Sequence, residues 1–304
     1  MIKRFLKYVE ITTKITSLFA FLNTMLFIVY QKQPINAALM TVFFIAMFLF
    51  DLTTTAINNY IDSKDYPEML PIPRKSAFAA IMIMLCISTL LGLYLAYKTG
   101  IVVLLLGAFC FLLGIFYTFG PIPISRIPLG EAISGVAYGM FIPFLMLYIN
   151  NPLHYITLGL SWDTIQLQIF VRPFIEFFLF SLVTTFTTAN IMLANNTCDI
   201  EKDTAVGRLT LAYYIGRKWA VRLYALLYYG TYVSVALMVI FKVLNPAALI
   251  FFLSLPIVVK NIHAFKKEQI KEKTFITSIK NFITINVCYA ISILAATIVQ
   301  GIMA

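Results

Sequence analysis

Long apolar runs constrain the fold of this 304-residue chain more than any other feature of its sequence. A transmembrane helix needs about 20 predominantly apolar residues to cross the hydrocarbon core of a bilayer, and the chain is 61% hydrophobic and only 12% charged. This composition is typical of a polytopic membrane protein rather than a soluble domain. We predict an all-α fold in which residues 1–304 form a single transmembrane domain, one bundle of about nine helices at 15–30, 37–57, 77–97, 101–119, 131–149, 172–194, 219–240, 246–260 and 278–302.

The distribution of basic residues predicts the orientation of the chain. If the N-terminus is cytoplasmic, 19 of the 23 Lys and Arg residues face the cytoplasm, and only Lys32, Lys98, Arg172 and Lys242 face the other side. This bias follows the positive-inside rule, so we expect a multi-pass protein of the cell membrane. Residues 1–14 are predicted to form an amphipathic helix on the inner surface. No signal peptide is expected, because no small-residue cleavage site follows the first apolar run.

The net charge of the chain does not identify a class of partner. Basic loops beside anionic lipid headgroups explain a net charge of +10, so no nucleic-acid partner is needed. The lysine-rich loop at 260–273 is interpreted in the same way, as a solvated run that faces lipid headgroups.

The stretch 194–210 ends an apolar run and is the strongest candidate for chemistry. Asn195, Asp199 and Asp203 recur at every fourth position, so they lie along one face if the preceding helix continues. Two like charges at that spacing repel each other, and we therefore expect a cation between them. Hard oxygen ligands favour Mg²⁺, which binds one or two carboxylates together with water and substrate phosphates. The alternative is a solvated helix end capped by Asn and Asp.

A second stretch, 57–68, repeats this pattern. Asn58 and Asp62 are again four residues apart at the end of an apolar run. The chain has 13 carboxylates, and six of them fall in the two stretches: Asp62, Asp65, Glu68, Asp199, Glu201 and Asp203. This clustering argues against chance. We call 58–62 the first motif and 195–203 the second motif.

Asp51 lies deeper in the same predicted helix as the first motif. It precedes Asp62 by about 16 Å along the helix axis and shares a face with Thr55, Asn58 and Asp62. A carboxylate inside the membrane is a functional hypothesis by default and has to be paired or protonated. We expect Asp51 to be a catalytic residue that contacts a substrate. The alternative is a structural hydrogen bond to a neighbouring helix.

Four basic residues are expected on the same membrane side as the two motifs: Lys64, Arg74, Arg126 and Arg208. Arg binds phosphate oxygens in bidentate fashion, although Arg126 could instead form an ion pair with Glu131. Together with the carboxylates they describe a site for a Mg²⁺-bridged polyanion. The apolar surroundings, with 27 Phe and 12 Met, favour a polyanion that carries a hydrocarbon tail, and an isoprenyl diphosphate fits both halves.

These motifs resemble the UbiA superfamily of intramembrane aromatic prenyltransferases. Tyr-Thr-x-Gly-Pro at 117–121, Leu-Gly-Glu at 129–131 and Asn-Asn-x-x-Asp-x-Glu-x-Asp-x3-Gly-Arg-x-Thr-Leu at 195–211 are similar to its 1,4-dihydroxy-2-naphthoate branch in menaquinone synthesis. The resemblance implies that the two motifs hold Mg²⁺ and diphosphate, and that Arg208 is a basic diphosphate contact. It also implies a reaction in which a prenyl group replaces the carboxylate of an aromatic acid, which leaves as CO₂.

Three positions depart from the pattern of the family. Asn59 stands where the first motif has Asp, Cys198 stands where a basic residue is common, and Asp51 stands where this branch has an uncharged amide. The third acid of the first motif is also out of the usual frame, so the resemblance implies that Asp65 or Glu68 supplies the third ligand. The acceptor and the prenyl length therefore stay open. A related enzyme with a different aromatic acceptor is the first alternative, and a non-catalytic lipid-binding protein is the second. A transporter is the third, but transporters place charged groups near the bilayer midplane, whereas these motifs lie at one membrane edge.

Overall fold

A computed structural model describes residues 2–64, 67–120 and 123–303. Asp65, one of the two candidates for the third ligand of the first motif, lies outside the described residues, as does Pro121. The α-helices are α1 (Ile2–Tyr8), α2 (Ile15–Tyr30), α3 (Ala37–Asp62), α4 (Arg74–Thr99), α5 (Ile101–Thr118), α6 (Gly130–Val136), α7 (Ile142–Asn150), α8 (Val171–Cys198), α9 (Ile200–Ala205), α10 (Leu211–Ile240), α11 (Leu255–Lys267) and α12 (Ile276–Met303). Two strands, β1 (Ile156–Leu160) and β2 (Ile165–Ile169), pair in the loop before α8.

The all-α, polytopic prediction is confirmed. Nine helical segments of the described chain are long and apolar enough to cross a membrane: Ile11–Tyr30, Ala37–Asp62, Arg74–Thr99, Ile101–Thr118, Gly130–Asn150, Val171–Cys198, Leu211–Ile240, Pro246–Lys267 and Ile276–Ile302. Several extend beyond the predicted spans because helices continue past the apolar run into polar sequence. The largest difference is at α10, which begins at Leu211 rather than 219 and changes direction at Gly216, where φ is 73°.

The described chain divides into two compact units, and the prediction of a single domain stays a prediction. Unit 1 comprises Met1–Leu18, Ile35–Ile124 and Leu145–Gln168. Within it, α3 packs against α4 and α5. Only 22% of the 18-residue apolar segment of α4 is buried, and only 11% of that of α5. These two helices therefore present most of their apolar side chains outward, as expected for surfaces that face lipid tails.

The N-terminal segment of unit 1 differs from the predicted surface helix over 1–14. α1 ends at Tyr8, Glu10 adopts a left-handed conformation with φ of 48°, and a 3₁₀ turn follows at Ile11–Lys14. Tyr8 and Val9 are fully buried against α3 and α4, and the Tyr8 hydroxyl donates to the Ala56 carbonyl at 2.9 Å. The prediction of one continuous helix over 1–14 is wrong, because the chain has to turn inward to bury the Tyr8 side chain.

Unit 2 comprises Phe19–Pro34, Ser125–Phe144 and Ile169–Ala304, and α8 is its central helix. α8 packs against α6, α10 and α12, and 72% of its 18-residue apolar segment is buried. Close packing depends on Gly139, where an added Cβ would lie 2.3 Å from the Thr185 backbone nitrogen. Asn286 donates to Thr187 at 3.2 Å and accepts from Asn23 at 3.1 Å, so hydrogen bonds of this buried amide link α12 to α8 and to α2.

Candidate functional site

The second motif crosses the junction between α8 and α9. α8 carries Asn195 and ends at Cys198, and Asp199 connects it to α9. The Asp199 amide donates to the Asn195 carbonyl at 3.2 Å, and the Asp203 amide donates to the Asp199 carbonyl at 2.8 Å. The four-residue spacing of helical hydrogen bonds therefore persists across the junction, and the three oxygen-bearing side chains occupy successive turns, as the spacing predicts.

A cation lies between two of these side chains, but it comes from the chain itself. The Lys271 ammonium, in the turn between α11 and α12, donates to Asn195 Oδ1 and Asp199 Oδ2. The interpretation of 260–273 as a solvated run is wrong for Lys271, because contact with Asp199 gives its charge a partner inside unit 2. Nothing in the sequence distinguishes Lys271 from Lys273, which lies in the same loop and has 65% of its side chain exposed.

Asp203 is the most buried carboxylate of the second motif, at 8% exposed. Its Oδ1 lies 3.8 Å from the Arg208 guanidinium, and its Oδ2 has no hydrogen-bond partner among the described residues. Burial raises the pKa of the Asp203 carboxyl, the charge of Arg208 opposes this rise, and the charge of Asp199 adds to it. A further cation near Oδ2 would relieve the desolvation of this group.

The loop between α5 and α6 supports the residues that follow α9. The Arg208 side chain donates from Nε to the Ser125 carbonyl at 3.1 Å, and the Leu209 amide donates to the Arg126 carbonyl at 3.1 Å. The Arg126 side chain itself is exposed, and no ion pair between Arg126 and Glu131 is present in the part of the chain that the structure describes.

Glu131 has a different partner from the one that the sequence offered. It is 3% exposed and accepts a hydrogen bond from Asn196 Nδ2 at 2.8 Å. The opposite, exposed side of α9 carries Glu201, whose Oε1 and Oε2 both accept from Arg217 Nη2, at 2.8 and 2.7 Å. Glu201 therefore points away from the ligand face of the second motif and gives a control position on the same helix.

The first motif lies at the end of α3, in unit 1. Asn58 Nδ2 donates to Asp62 Oδ2 at 3.2 Å, and Thr118 donates to Asn58 Oδ1 at 3.1 Å. Asp62 is exposed, and so are Lys64 and Glu68. No cationic side chain forms an ion pair with Asp62 among the described residues.

Two residues near the first motif have structural partners. Arg74 donates to the Ser63 carbonyl at 3.2 Å and lies 4.0 Å over the Tyr60 ring, so it holds the end of α3. Asn59, which departs from the family pattern, donates to the Tyr8 carbonyl at 2.8 Å and to Glu10 at 3.2 Å. The amide at position 59 thus attaches the N-terminal segment to α3.

Asp51 is paired, as a carboxylate at its depth requires. Lys14 donates to Asp51 Oδ1 at 2.9 Å and to Thr55 Oγ1 at 2.5 Å, and Ser17 donates to Asp51 Oδ2 at 2.6 Å. Lys14 is only 2% exposed, so its side chain does not lie on a solvated face of the predicted surface helix: the ammonium is needed beside a buried carboxylate. The sequence feature that could have indicated this pairing is the spacing of Lys14 and Ser17, three residues apart where α2 begins. Contact of Asp51 with a substrate stays a prediction.

The donors of the second motif fit a hard divalent cation. Among the described residues, no group of three or more His, Cys, Asp and Glu side chains could hold a metal ion alone. Asn195 Oδ1 and Asp199 Oδ2 nevertheless converge on one cationic group, and the buried Asp203 Oδ2 lacks a partner in the part of the chain that the structure describes. Amide and carboxylate oxygens with positions left for water and phosphate are what Mg²⁺ binds.

Comparison with known proteins identifies the family of the chain. The model of the UbiA prenyltransferase family matches residues 17–284. The chain belongs to this family. A 1,4-dihydroxy-2-naphthoate octaprenyltransferase of Bacillus subtilis (strain 168) is 31% identical over 183 residues, which are 60% of this chain. The match spans about half, 53%, of the length of that relative.

Solved structures of UbiA homologues share the fold. A homologue from Aeropyrum pernix K1 is similar with a TM-score of 0.65 at 16% identity, covering 92% of this chain and 98% of the other. A homologue from Archaeoglobus fulgidus bound to GPP and Mg²⁺ is similar with a TM-score of 0.59 at 12% identity, covering 97% and 99%. A digeranylgeranylglyceryl phosphate synthase gives 0.65 at 16%, covering 97% and 98%.

Proposed function

We propose that this UbiA-family membrane protein transfers an isoprenyl group from a prenyl diphosphate to a quinone-precursor aromatic acid, with 1,4-dihydroxy-2-naphthoate as the first candidate acceptor. The observation that carries the proposal is the convergence of Asn195 and Asp199 on one cation beside the unpartnered oxygen of Asp203. The family provides the reaction class, and the naphthoate octaprenyltransferase from Bacillus subtilis supports the choice of acceptor.

The second motif would bind Mg²⁺ through Asn195 Oδ1, Asp199 Oδ2 and Asp203 Oδ2. When bound, the metal supplies Lewis-acid and electrostatic stabilisation of the leaving diphosphate. Arg208 extends this charge, because its Nη1 is 3.8 Å from Asp203 while Nε is fixed on the Ser125 carbonyl. The guanidinium is thus held beside the carboxylate, where it would donate to a bound diphosphate.

The first motif is proposed as a further metal site, with Asn58 and Asp62 as ligands and Asp65 or Glu68 as the third. Asn58 is already oriented by Thr118, whereas Asp62 is exposed and free to accept a metal. Lys64, Arg74 and Arg126 are proposed diphosphate contacts. Lys64 and Arg126 have exposed side chains, whereas Arg74 would have to leave its contacts with Ser63 and Tyr60.

The proposed chemistry balances without a cofactor beyond the metal. The allylic C–O bond of the donor breaks, and its electron pair leaves with the diphosphate. The ring carbon that bears the carboxylate forms a bond to the prenyl carbon. The bond from this ring carbon to the carboxylate then breaks, its electrons restore the aromatic ring, and CO₂ leaves. Apolar walls would keep water away from the prenyl cation. Asp51 is the proposed contact for the acceptor hydroxyl.

Product analysis tests this proposal. Membranes that contain the protein would be supplied with Mg²⁺, geranyl diphosphate and a panel of aromatic acids, and the products weighed by mass spectrometry. A prenylated 1,4-dihydroxynaphthalene that has lost the carboxylate is expected, and Asp163→Asn, in the exposed turn between β1 and β2, serves as the matched active control. Product from another acid alone would assign a different acceptor. No product from any acid would leave a non-catalytic or transport role.

The orientation of the site is also proposed. The charge bias of the loops favours a cytoplasmic N-terminus and a cytoplasmic second motif in the cell membrane. Cys198 ends α8 next to Asp199 and is partly exposed, so it reports on the side of the membrane. An impermeant thiol reagent added outside intact cells should leave Cys198 unlabelled. Labelling from outside would contradict the orientation.

A further inference from the structure

The contact of Lys271 with the second motif has no role in the reaction described so far. Its ammonium is hydrogen-bonded to Asn195 Oδ1 and Asp199 Oδ2, two of the three oxygens that the proposed function assigns to the metal. Lys271 follows Asn195 by 76 residues and comes from a different helix connection. An ammonium and a divalent cation cannot occupy the same position between these oxygens, so metal binding requires Lys271 to move.

The turn that carries Lys271 holds it in place. Thr274 is buried, its amide donates to the Ile270 carbonyl at 2.8 Å, and its hydroxyl accepts from the Ile270 amide at 2.9 Å. Gln269 caps the last turn of α11 by donating to the Phe265 carbonyl at 2.5 Å. Lys271 is consequently presented from a closed turn, and only 33% of its side chain is exposed, against 65% for Lys273.

Charge balance explains why such a lysine would be useful. Without metal, the formal charges of Asp199 and Asp203 are matched by those of Lys271 and Arg208. A divalent cation that entered alone would add two positive charges to a balanced and partly buried cluster, which is unfavourable. A divalent cation that enters with a diphosphate brings its own negative charge. The displaced ammonium, with three donors on a flexible stem, can then move onto a phosphate oxygen.

We propose that Lys271 is an internal counter-cation of the second motif, which excludes bare divalent metal and is released to the diphosphate when metal and diphosphate enter together. The identity of the polyanion rests on the proposed function. Lys271 thereby makes the binding of metal and diphosphate mutually dependent. Such a coupling is reciprocal, so each ligand tightens the other by the same factor.

Equilibrium dialysis of the purified full-length protein against Mn²⁺ tests this coupling without turnover. Binding would be measured for Mn²⁺ alone and for Mn²⁺ with inorganic diphosphate. Lys271→Met removes the charge at similar length, Lys271→Arg keeps the charge, and Lys273→Met is the matched control in the same loop. Lys271→Met should bind Mn²⁺ alone about tenfold or more tightly than the unaltered protein. The factor by which diphosphate tightens Mn²⁺ binding should fall, while the other two variants keep it.

A lysine that is merely structural would lower the melting temperature on replacement and leave the affinity for Mn²⁺ unchanged, and that result would overturn the proposal. If no protein of the set bound Mn²⁺ even with diphosphate, the proposed function would fail first. The unaltered protein offers a second readout that needs no variant. Without metal, acetic anhydride should acetylate Lys271 more slowly than Lys273, and equal rates would contradict the ion pair on which the proposal rests.

Discussion

The two motifs have the same spacing but opposite environments. In the second motif, Asn195 and Asp199 share the ammonium of Lys271, and Asp203 is buried beside Arg208. In the first motif, Asp62 is exposed, and Asn58 is its hydrogen-bond partner. The four-residue spacing of an Asn and an Asp thus determines which side-chain oxygens lie together on a helix face. It does not determine whether a Lys or Arg of the protein neutralises the carboxylate.

This difference predicts different dependence on metal. The second motif is organised before any ligand arrives, so loss of a carboxylate there removes a ligand from a preformed arrangement. The first motif has a carboxylate in water, where an exposed charge contributes little to stability. Unit 1 instead places its buried ammonium, Lys14, on Asp51, deeper in α3. Substitutions in the two motifs and at Asp51 should therefore differ in their effects on rate and on stability.

The largest effect is expected at Asp199. Asp199→Ala removes one metal oxygen and the partner of Lys271, and we expect kcat/KM to fall by about 10⁴-fold, because stabilisation of the leaving group is lost. The protein should remain inserted and folded, since Lys271 is partly exposed and water can solvate its ammonium. Initial rates at saturating Mg²⁺ and size-exclusion chromatography provide the measurements. Asp203→Ala should behave in the same way.

Glu201→Gln is the matched control for this prediction. Glu201 lies on α9 between the two aspartates but pairs with Arg217 on the exposed side, so its replacement should change the rate by no more than about twofold. Near-normal turnover in Asp199→Ala, or an equal loss in Glu201→Gln, would show that the ligand face is wrongly assigned.

A smaller effect is expected at Asp62. Asp62→Asn should lower kcat/KM by about 10²- to 10³-fold through loss of a metal oxygen. The melting temperature should change by less than for Asp203→Asn, because Asp62 is exposed and has no cationic partner among the described residues. Thermal unfolding in detergent with and without Mg²⁺ measures this difference. A change in melting temperature for Asp62→Asn equal to that for Asp203→Asn would remove the contrast between the motifs.

The smallest effect on catalysis is expected at Asp51. Asp51→Asn keeps the volume and removes the charge, so the apparent kcat/KM for the acceptor should fall by about 10- to 100-fold, the cost of one hydrogen bond in a buried site. The KM for the diphosphate should change little. The melting temperature should also fall, because Lys14 loses its counter-charge. A lower melting temperature with unchanged acceptor kinetics would leave Asp51 as a structural partner of Lys14 alone.

Local features of the molecule could be predicted from the sequence, and distant contacts could not. The apolar runs and the four-residue spacings were sufficient for the transmembrane segments and for the stacking of Asn195, Asp199 and Asp203, because both depend on helix periodicity alone. The cation partners depend on contacts far along the chain: Lys14 meets Asp51 37 residues later, and Lys271 meets Asp199 72 residues earlier. No property of one segment specifies which of several lysines folds back onto it.

The binding of geranyl diphosphate to the purified protein, with and without divalent metal, tests whether the second motif holds the diphosphate through a metal ion. Isothermal titration would compare Mg²⁺ with EDTA for the unaltered protein and for Asp199→Asn. If the second motif binds the diphosphate through a metal, Mg²⁺ should tighten binding by at least about tenfold in the unaltered protein and by much less in Asp199→Asn. Equal affinity in Mg²⁺ and in EDTA for the unaltered protein would contradict metal-mediated binding of the diphosphate at the second motif.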